Sequence, residues 1–324
     1  MVTALGPPAA TGQRVMEPTQ LQADIQAARP HRKQEADRHL WSPGVALLAP
    51  AAATLVVFFV VPALIFLLYS FWEGHPFRVE RVFTLENYAY ALSNTVYLKV
   101  TLNTLLTGAE TAILTTALAY PLAYFLTFKV KRRRNLVLML IVISLLSGYI
   151  VRVYAWRTIL GRTGLLNSFL LWIGLIKEPL LSLVFSRSAV VVTLLNIFLP
   201  YTMLPILSSL ANIAPEVIEA ARDLGAGPVR AFLKVTLPLS MTGVVSGFTY
   251  TLILSAGDYI TPEMVGGTTG MMIGRSIASQ FVRTGNWPLG AALSYLVLSL
   301  FMVCYFGVRW AGRYLEGPGR AHRE

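Results

Sequence analysis

Apolar residues in this chain collect in six long runs, near residues 45–71, 100–128, 136–155, 188–210, 239–257 and 288–309, and shorter polar stretches separate them. Crossing a bilayer takes about 20 apolar residues in a helix. A segment in lipid must satisfy its own backbone hydrogen bonds, so the pattern predicts an all-α, polytopic membrane protein: a bundle of six transmembrane helices with both termini on one side. The stretch from Gly164 to Ile176 is apolar too, but it is short and bracketed by Arg162 and by Lys177-Glu178-Pro179. It predicts a helix lying in the outer interface or packed over the bundle mouth, since a seventh span would invert everything after it. Pro200 and Pro205 remove helix hydrogen bonds and predict a kink in the fourth span. Gly243 and Gly247 in the fifth span, and Gly266, Gly267 and Gly270 outside it, allow close backbone approach.

Charge sets the orientation, because excess Lys and Arg stay in the cytoplasm. One set of connections holds Arg14, Arg29, Arg32, Lys33 and Arg38; Lys129, Lys131, Arg132, Arg133 and Arg134; Arg222, Arg230 and Lys234; and Arg309, Arg313, Arg320 and Arg323. That is most of the 27 basic residues, and it predicts cytoplasmic termini. Residues 1–42 mix Pro, Gln, Ala and both signs of charge without apolar periodicity, which predicts a mobile cytoplasmic tail. The transmembrane domain is expected over 43–312, followed by a second cytoplasmic tail over 313–324. The first forty residues hold no apolar core of signal-peptide length, so the first span is expected to direct its own insertion.

Composition narrows the classes further. A chain of 324 residues that is 55% hydrophobic and 13% charged cannot hide its apolar surface in one soluble core, so the lipid bilayer is an expected partner. The net charge of +11 does not point to nucleic acid, because the bases sit between apolar runs and not on a reading surface. The single Cys304 allows no intrachain disulfide and no metal site built from cysteines. No Gly-x-x-x-x-Gly-Lys-Ser/Thr, HExxH or GxSxG sequence is present. His31, His39, His75 and His322 all lie outside the spans, so neither a catalytic residue nor a metal ligand is expected. An ion-driven secondary transporter, the distant alternative, predicts an internal repeat, and none is visible.

The connection between the fourth and fifth spans carries the most specific pattern. Pro215 suits the first turn of a short helix, Gly225 the left-handed position past its end, and Pro228 the start of a second helix. At 100° per residue, Val217, Ile218, Ala220, Ala221 and Leu224 share one face, and Glu216, Glu219, Arg222 and Asp223 the other. Glu219 falls near the centre of the polar face. On geometry alone this is either a dock for a soluble partner, with its apolar face on the bundle, or an interfacial helix that caps the bundle.

The spacing Glu219-Ala220-Ala221, three residues, Gly225, nine residues, Val235, one residue, Leu237-Pro238 resembles the EAA motif of ABC importer permeases. Val235 stands where isoleucine is frequent in that motif. Leu85-Glu86-Asn87-Tyr88, Tyr120-Pro121-Leu122-Ala123-Tyr124, Val151-Arg152-Val153-Tyr154-Ala155-Trp156, Gly257-Asp258-Tyr259-Ile260-Thr261-Pro262 followed by Gly266-Gly267, and Asn286-Trp287-Pro288-Leu289-Gly290-Ala291-Ala292 are similar to permeases of the spermidine/putrescine type. The resemblance runs from about residue 44 to 310. It implies the type I importer (MetI-like) fold, with a core of about 99–308 and a coupling loop over 212–238. It also implies a multi-pass subunit of the bacterial inner membrane, working with a second permease subunit (a distinct, shorter homologue), two copies of an ABC ATPase and an extracytoplasmic solute-binding protein. ATP and Mg would then sit on the ATPase, with no cofactor on this chain, which would itself not be an enzyme. Glu219, Ala220, Ala221, Asp223, Gly225, Leu237 and Pro238 would couple to the ATPase. The implied cargo is a polyamine; relatives of the type carry opines, 4-aminobutyrate-like amino-acid derivatives, iron(III) or thiamine.

Charge inside a membrane marks candidate permeation residues. Glu110 in the second span and Asp258 at the outer end of the fifth are such residues, and Tyr120, Tyr124, Tyr154, Trp156, Tyr250 and Tyr259 offer rings for cation–π contact. The competing readings are a structural pairing of Glu110 with a neighbouring helix or Arg152, an outer-surface anchor for Arg152, and aromatic belts at the interfaces.

Overall fold

The computed structural model describes residues 43–130, 132–180 and 184–315, so most of the two expected tails lies outside the described residues. Residues up to Ile65 form one compact unit and those from Phe66 onward another. The first unit, as described, is helical: α1 (Pro43–Leu55) passes through a π-helical turn at Val56–Val60 into the start of α2 (Val61–Tyr69). Leu55, Phe58 and Phe59 are exposed, as an apolar helix meant for lipid requires.

In the second unit the end of α2 is followed by an antiparallel hairpin, β1 (Trp72–His75) and β2 (Arg78–Phe83), which the pattern of long apolar runs did not predict. Then follow α3 (Glu86–Ser93) and α4 (Thr95–Phe128), whose N-cap is the Asn94 side chain accepting from the Val96 N–H. The buried face of α4 repeats every three to four residues through Val100, Thr104, Gly108, Thr111, Thr115, Ala119 and Ala123. These are mostly small or threonine residues, which let helices approach closely where lipid gives no hydrophobic drive for association. Against that face lie α8 (Arg187–Ala211) and α11 (Leu237–Ala256). The three helices form the centre of the unit. Gly247 lies so close to the Thr202 carbonyl that a Cβ would stand 2.6 Å from it, and at Gly243 a Cβ would stand 2.5 Å from the Pro205 carbonyl. A hydroxyl–hydroxyl bond between Thr202 and Thr251 joins the same two helices.

Two expectations need correction. The third span, expected as one run over 136–155, is broken: α5 (Arg134–Leu146) and α6 (Tyr149–Leu160) meet at Ser147-Gly148 with a bend of 93° between the flanking segments. Both break residues are extended, and Gly/Ser pairs are a recurrent cause of sharp helix bends. The second short helix of the coupling loop is not separate from the fifth span. α10 (Pro228–Ala231) runs through a π-helical turn at Phe232–Thr236 directly into α11. Pro238 has no N–H, and its ring crowds the carbonyl four residues back; the wider π register, with the Leu237 N–H bonded to the Phe232 carbonyl, admits it without a break. Pro200 and Pro205 likewise sit inside one uninterrupted α8.

The apolar stretch after Gly164 forms α7 (Leu165–Trp172), at eight residues far short of a span. Asn167 on this helix is buried, its amide donating to the Gly161 and Leu180 carbonyls and its oxygen accepting from the Leu180 N–H. The last helices are α9 (Pro215–Asp223), α12 (Ile273–Ser279) and α13 (Trp287–Leu315). Among the described residues, five helices are long and apolar enough to cross a membrane, and the count reaches six when the bent third pair is taken as one span. α13 carries three residues past the expected boundary at 312.

Candidate coupling loop and permeation residues

The coupling loop is built by its two prolines and one glycine. Ala214 is the N-cap of α9 and Pro215 its first helical residue, where a missing N–H leaves no bond unmade. Glu216 in the first turn and Arg222 in the last both complement the helix dipole. At the other end the Gly225 N–H donates to the Arg222 carbonyl (2.9 Å) and the Ala226 N–H to the Ala221 carbonyl (3.0 Å), the paired bonds of a Schellman turn. Gly225 takes φ +83°, the left-handed conformation this turn needs. Gly227 then caps α10, with Pro228 again at the first helical position.

Which face of α9 turns inward differs from the expectation. Ile218 packs against the cluster of Ala123, Leu126, Met203, Leu207 and Leu210, and Ala221 is half-buried. Val217 and Ala220 are exposed, and Leu224 is 89% exposed. Only one edge of the apolar face rests on the bundle, because the Schellman turn swings Leu224 away from it. Burial of Ile218 accordingly contributes about 1 kcal/mol, and the rest of the helix surface is free. Glu219 and Asp223 are exposed, with no ion pair to any described residue. Leu237 is half-buried and Pro238 exposed on the continuous helix.

Tyr120 and Tyr124, proposed as rings along a path, belong to this end of the bundle. Both meet the Phe232 ring edge-on, at 5.8 and 5.7 Å between centroids, and the Tyr120 hydroxyl lies 2.9 Å from that of Ser240. They brace the π-helical turn beside the coupling loop.

The other path candidates do not form one constellation. Among the described residues, no hydrogen bond or ion pair joins any of Glu110, Tyr154, Trp156, Tyr250, Asp258 and Tyr259 to another. Glu110 accepts from Arg187 at the start of α8 (2.7 Å), so its partner lies on a neighbouring helix and is not Arg152. Arg152 donates to the Ile197 carbonyl at 3.3 Å. Trp156 packs on the cluster around Val153, Leu194 and Ile197, while Tyr154, Tyr250 and Tyr259 are exposed. Asp258 is 9% exposed and fully engaged: it caps the turn at Ile260 and Thr261 through their N–H groups (3.0 and 3.3 Å) and accepts the Tyr149 hydroxyl at 2.6 Å. Tyr149 is the first residue of α6, directly after the break in the third span. One carboxylate therefore ties the end of the fifth span to the second half of the third.

Sequence reasoning missed Tyr149 and Arg187. A tyrosine near a membrane surface reads as an interfacial anchor, and the one local signal, the Ser147-Gly148 pair before it, marks a bend and not a partner. Glu263 was missed too; its carboxylate bridges Arg275 and Arg283 across the connection before α13.

Known proteins fit this geometry. The spermidine/putrescine transport system permease protein PotB of Salmonella typhimurium (strain SL1344) is 34% identical over 256 residues, 78% of this chain and 88% of that protein. PotB of Escherichia coli (strain K12) is 33% identical over the same length, covering 92% of that protein. Among solved structures, a bacterial ABC transporter involved in the import of the acidic polysaccharide alginate has a chain that matches with a TM-score of 0.67, covering 92% of this chain and 100% of that one. At 16% identity that likeness speaks to the fold. The model of the binding-protein-dependent transport system inner membrane component family matches residues 115–317, from within the second span through the coupling loop to the last. With that loop folded as an exposed, tightly turned helix pair and relatives one-third identical over most of the chain, the protein belongs to the family of binding-protein-dependent transport system inner membrane components.

Proposed function

We propose that this chain is a permease subunit of an ATP-driven ABC importer that moves a polyamine, spermidine or putrescine, across the bacterial inner membrane, with both termini in the cytoplasm. The observation that carries the coupling role is α9: a short helix, held by one half-buried edge, that leaves Glu219, Asp223, Val217 and Leu224 uncovered. In this reading Glu219, Ala220, Ala221, Asp223 and Gly225 dock in a groove of an ABC ATPase, and Leu237 and Pro238 transmit its movement through the continuous helix into the fifth span. A rigid helix docked in this way conveys the preference of the ATPase for one permease conformation over another. ATP and Mg are held and hydrolysed by the two ATPase subunits, and a second permease subunit and an extracytoplasmic binding protein complete the assembly. The polyamine cargo is supported by the names of the relatives one-third identical over most of the chain. Glu110, Asp258, Tyr154, Trp156, Tyr250 and Tyr259 remain our candidates for the permeation path.

The assembled complex tests this directly. ATP hydrolysis in proteoliposomes is expected to rise when the binding protein carries spermidine or putrescine and to stay at its basal rate with the empty protein. Stimulation by amino-acid derivatives, iron(III) or thiamine instead would reassign the cargo while leaving the coupling role in place.

A further inference from the structure

The turn between the second and third spans packs five basic residues into six positions, Lys129, Lys131, Arg132, Arg133 and Arg134, and the sequence holds no Asp or Glu from residue 111 to 177. None of the described four is ion-paired with a described residue, and the Nε of Arg134 is buried without a hydrogen-bond partner among the described residues. The turn cannot lift away from the bundle: α4 ends at Phe128 and α5 starts at Arg134, and Val130 packs against the cluster that includes Leu126 and Leu210. Lys129, Arg132, Arg133 and Arg134 are thus held directly beside the end of α4, a helix long and apolar enough to cross a membrane.

Beside them lies an apolar surface. On α5, Val137, Leu138 and Ile141 face the bundle, and Leu136, Met139 and Leu140 are exposed on the side turned away from it. A soluble anion needs the charges alone; a phospholipid matches both charges and apolar flank. We propose that Lys129, Arg132, Arg133 and Arg134 form a headgroup site for an anionic phospholipid of the phosphatidylglycerol class, with its acyl chains along the exposed side of α5. Clusters of Lys and Arg beside a span bind anionic headgroups in this way, each base contributing about fivefold in partitioning. The inference is independent of the cargo and of the coupling reading.

The test uses the full chain in nanodiscs made from equal parts phosphatidylglycerol and phosphatidylcholine, released into the gas phase with its retained lipids counted by native mass spectrometry. A nanodisc offers the same lipids on both faces, so the result does not depend on orientation. The unmodified chain is expected to retain phosphatidylglycerol in preference to phosphatidylcholine. A triple Arg132→Gln, Arg133→Gln, Arg134→Gln variant is expected to lose that preference by more than tenfold, and the matching triple lysine variant to keep it. Equal retention by the glutamine variant overturns the proposal. Displacement of the lipid by millimolar inorganic phosphate also overturns it, in favour of a soluble-anion site.

Discussion

At Gly225 a single missing carbon decides the local structure. The left-handed φ of +83° places nothing within 4 Å of where a Cβ would stand. Gly225→Ala therefore meets no steric neighbour, and its penalty is conformational, about 1–2 kcal/mol. We expect Gly225→Ala to insert and fold yet transport less per ATP hydrolysed, with Gly225→Asn milder because asparagine tolerates this conformation. Uptake and hydrolysis measured together in proteoliposomes decide it, and unchanged coupling in both variants rejects the turn as a coupling device. Glu219→Ala, on an exposed residue with no ion-pair partner among the described ones, is expected to leave thermal stability within about 0.5 kcal/mol while lowering coupled transport. The carboxylate of Asp258 behaves differently. Asp258→Ala and Tyr149→Phe remove the two ends of one bond, so their effects on thermal stability should be non-additive, by about 0.5–3 kcal/mol. Additive losses would show that the two residues act separately. Gly225 was legible in the sequence because a positive φ after a helix asks for glycine. Tyr120 and Tyr124 were not, because a ring reads alike whether it faces a pathway or braces a helix; only their contact with Phe232 decides.

Between elements, the tight contact of α8 and α11 rests on Gly243 and Gly247. A Cβ at Gly247 would stand 2.6 Å from a backbone carbonyl, which no rotamer change can relieve, so Gly247→Ala must push the two helices apart. We expect a loss of about 1–3 kcal/mol, seen as a lower thermal midpoint in detergent, with Gly307→Ala, where a Cβ meets nothing within 4 Å, as the neutral control. A midpoint for Gly247→Ala equal to the control would show that this contact is not limiting. The sequence announced such closeness through its small residues. It was silent on how α10 continues into α11, because Pro228 and Pro238 read as two boundaries, whereas the π-helical turn at Phe232–Thr236 absorbs the second. The third span was misread for the opposite reason: apolarity continues through Ser147-Gly148 although the helix does not.

For the whole molecule, membrane topology is the prediction with the widest reach. With Cys304 replaced by alanine, a cysteine at Leu224 is expected to label only from the cytoplasm and one at Val282, 81% exposed in the native chain, only from outside. Labelling of both from one side would overturn the six-span orientation, and with it the placement of the coupling loop. The span count was readable because hydropathy is a property of consecutive residues; the hairpin at Trp72–Phe83 was not, because ten or so mixed residues carry no comparable signal. The exposed loop that holds α9 also bears on how the protein is made. Leu224, Val229, Leu233 and Val217 are all exposed, so under the proposed coupling role a copy that reaches the membrane before its ATPase would present an adhesive surface to every other copy. Supply of this subunit in step with that partner would then be a condition of its survival, and cells making it alone should clear it or accumulate it as aggregates.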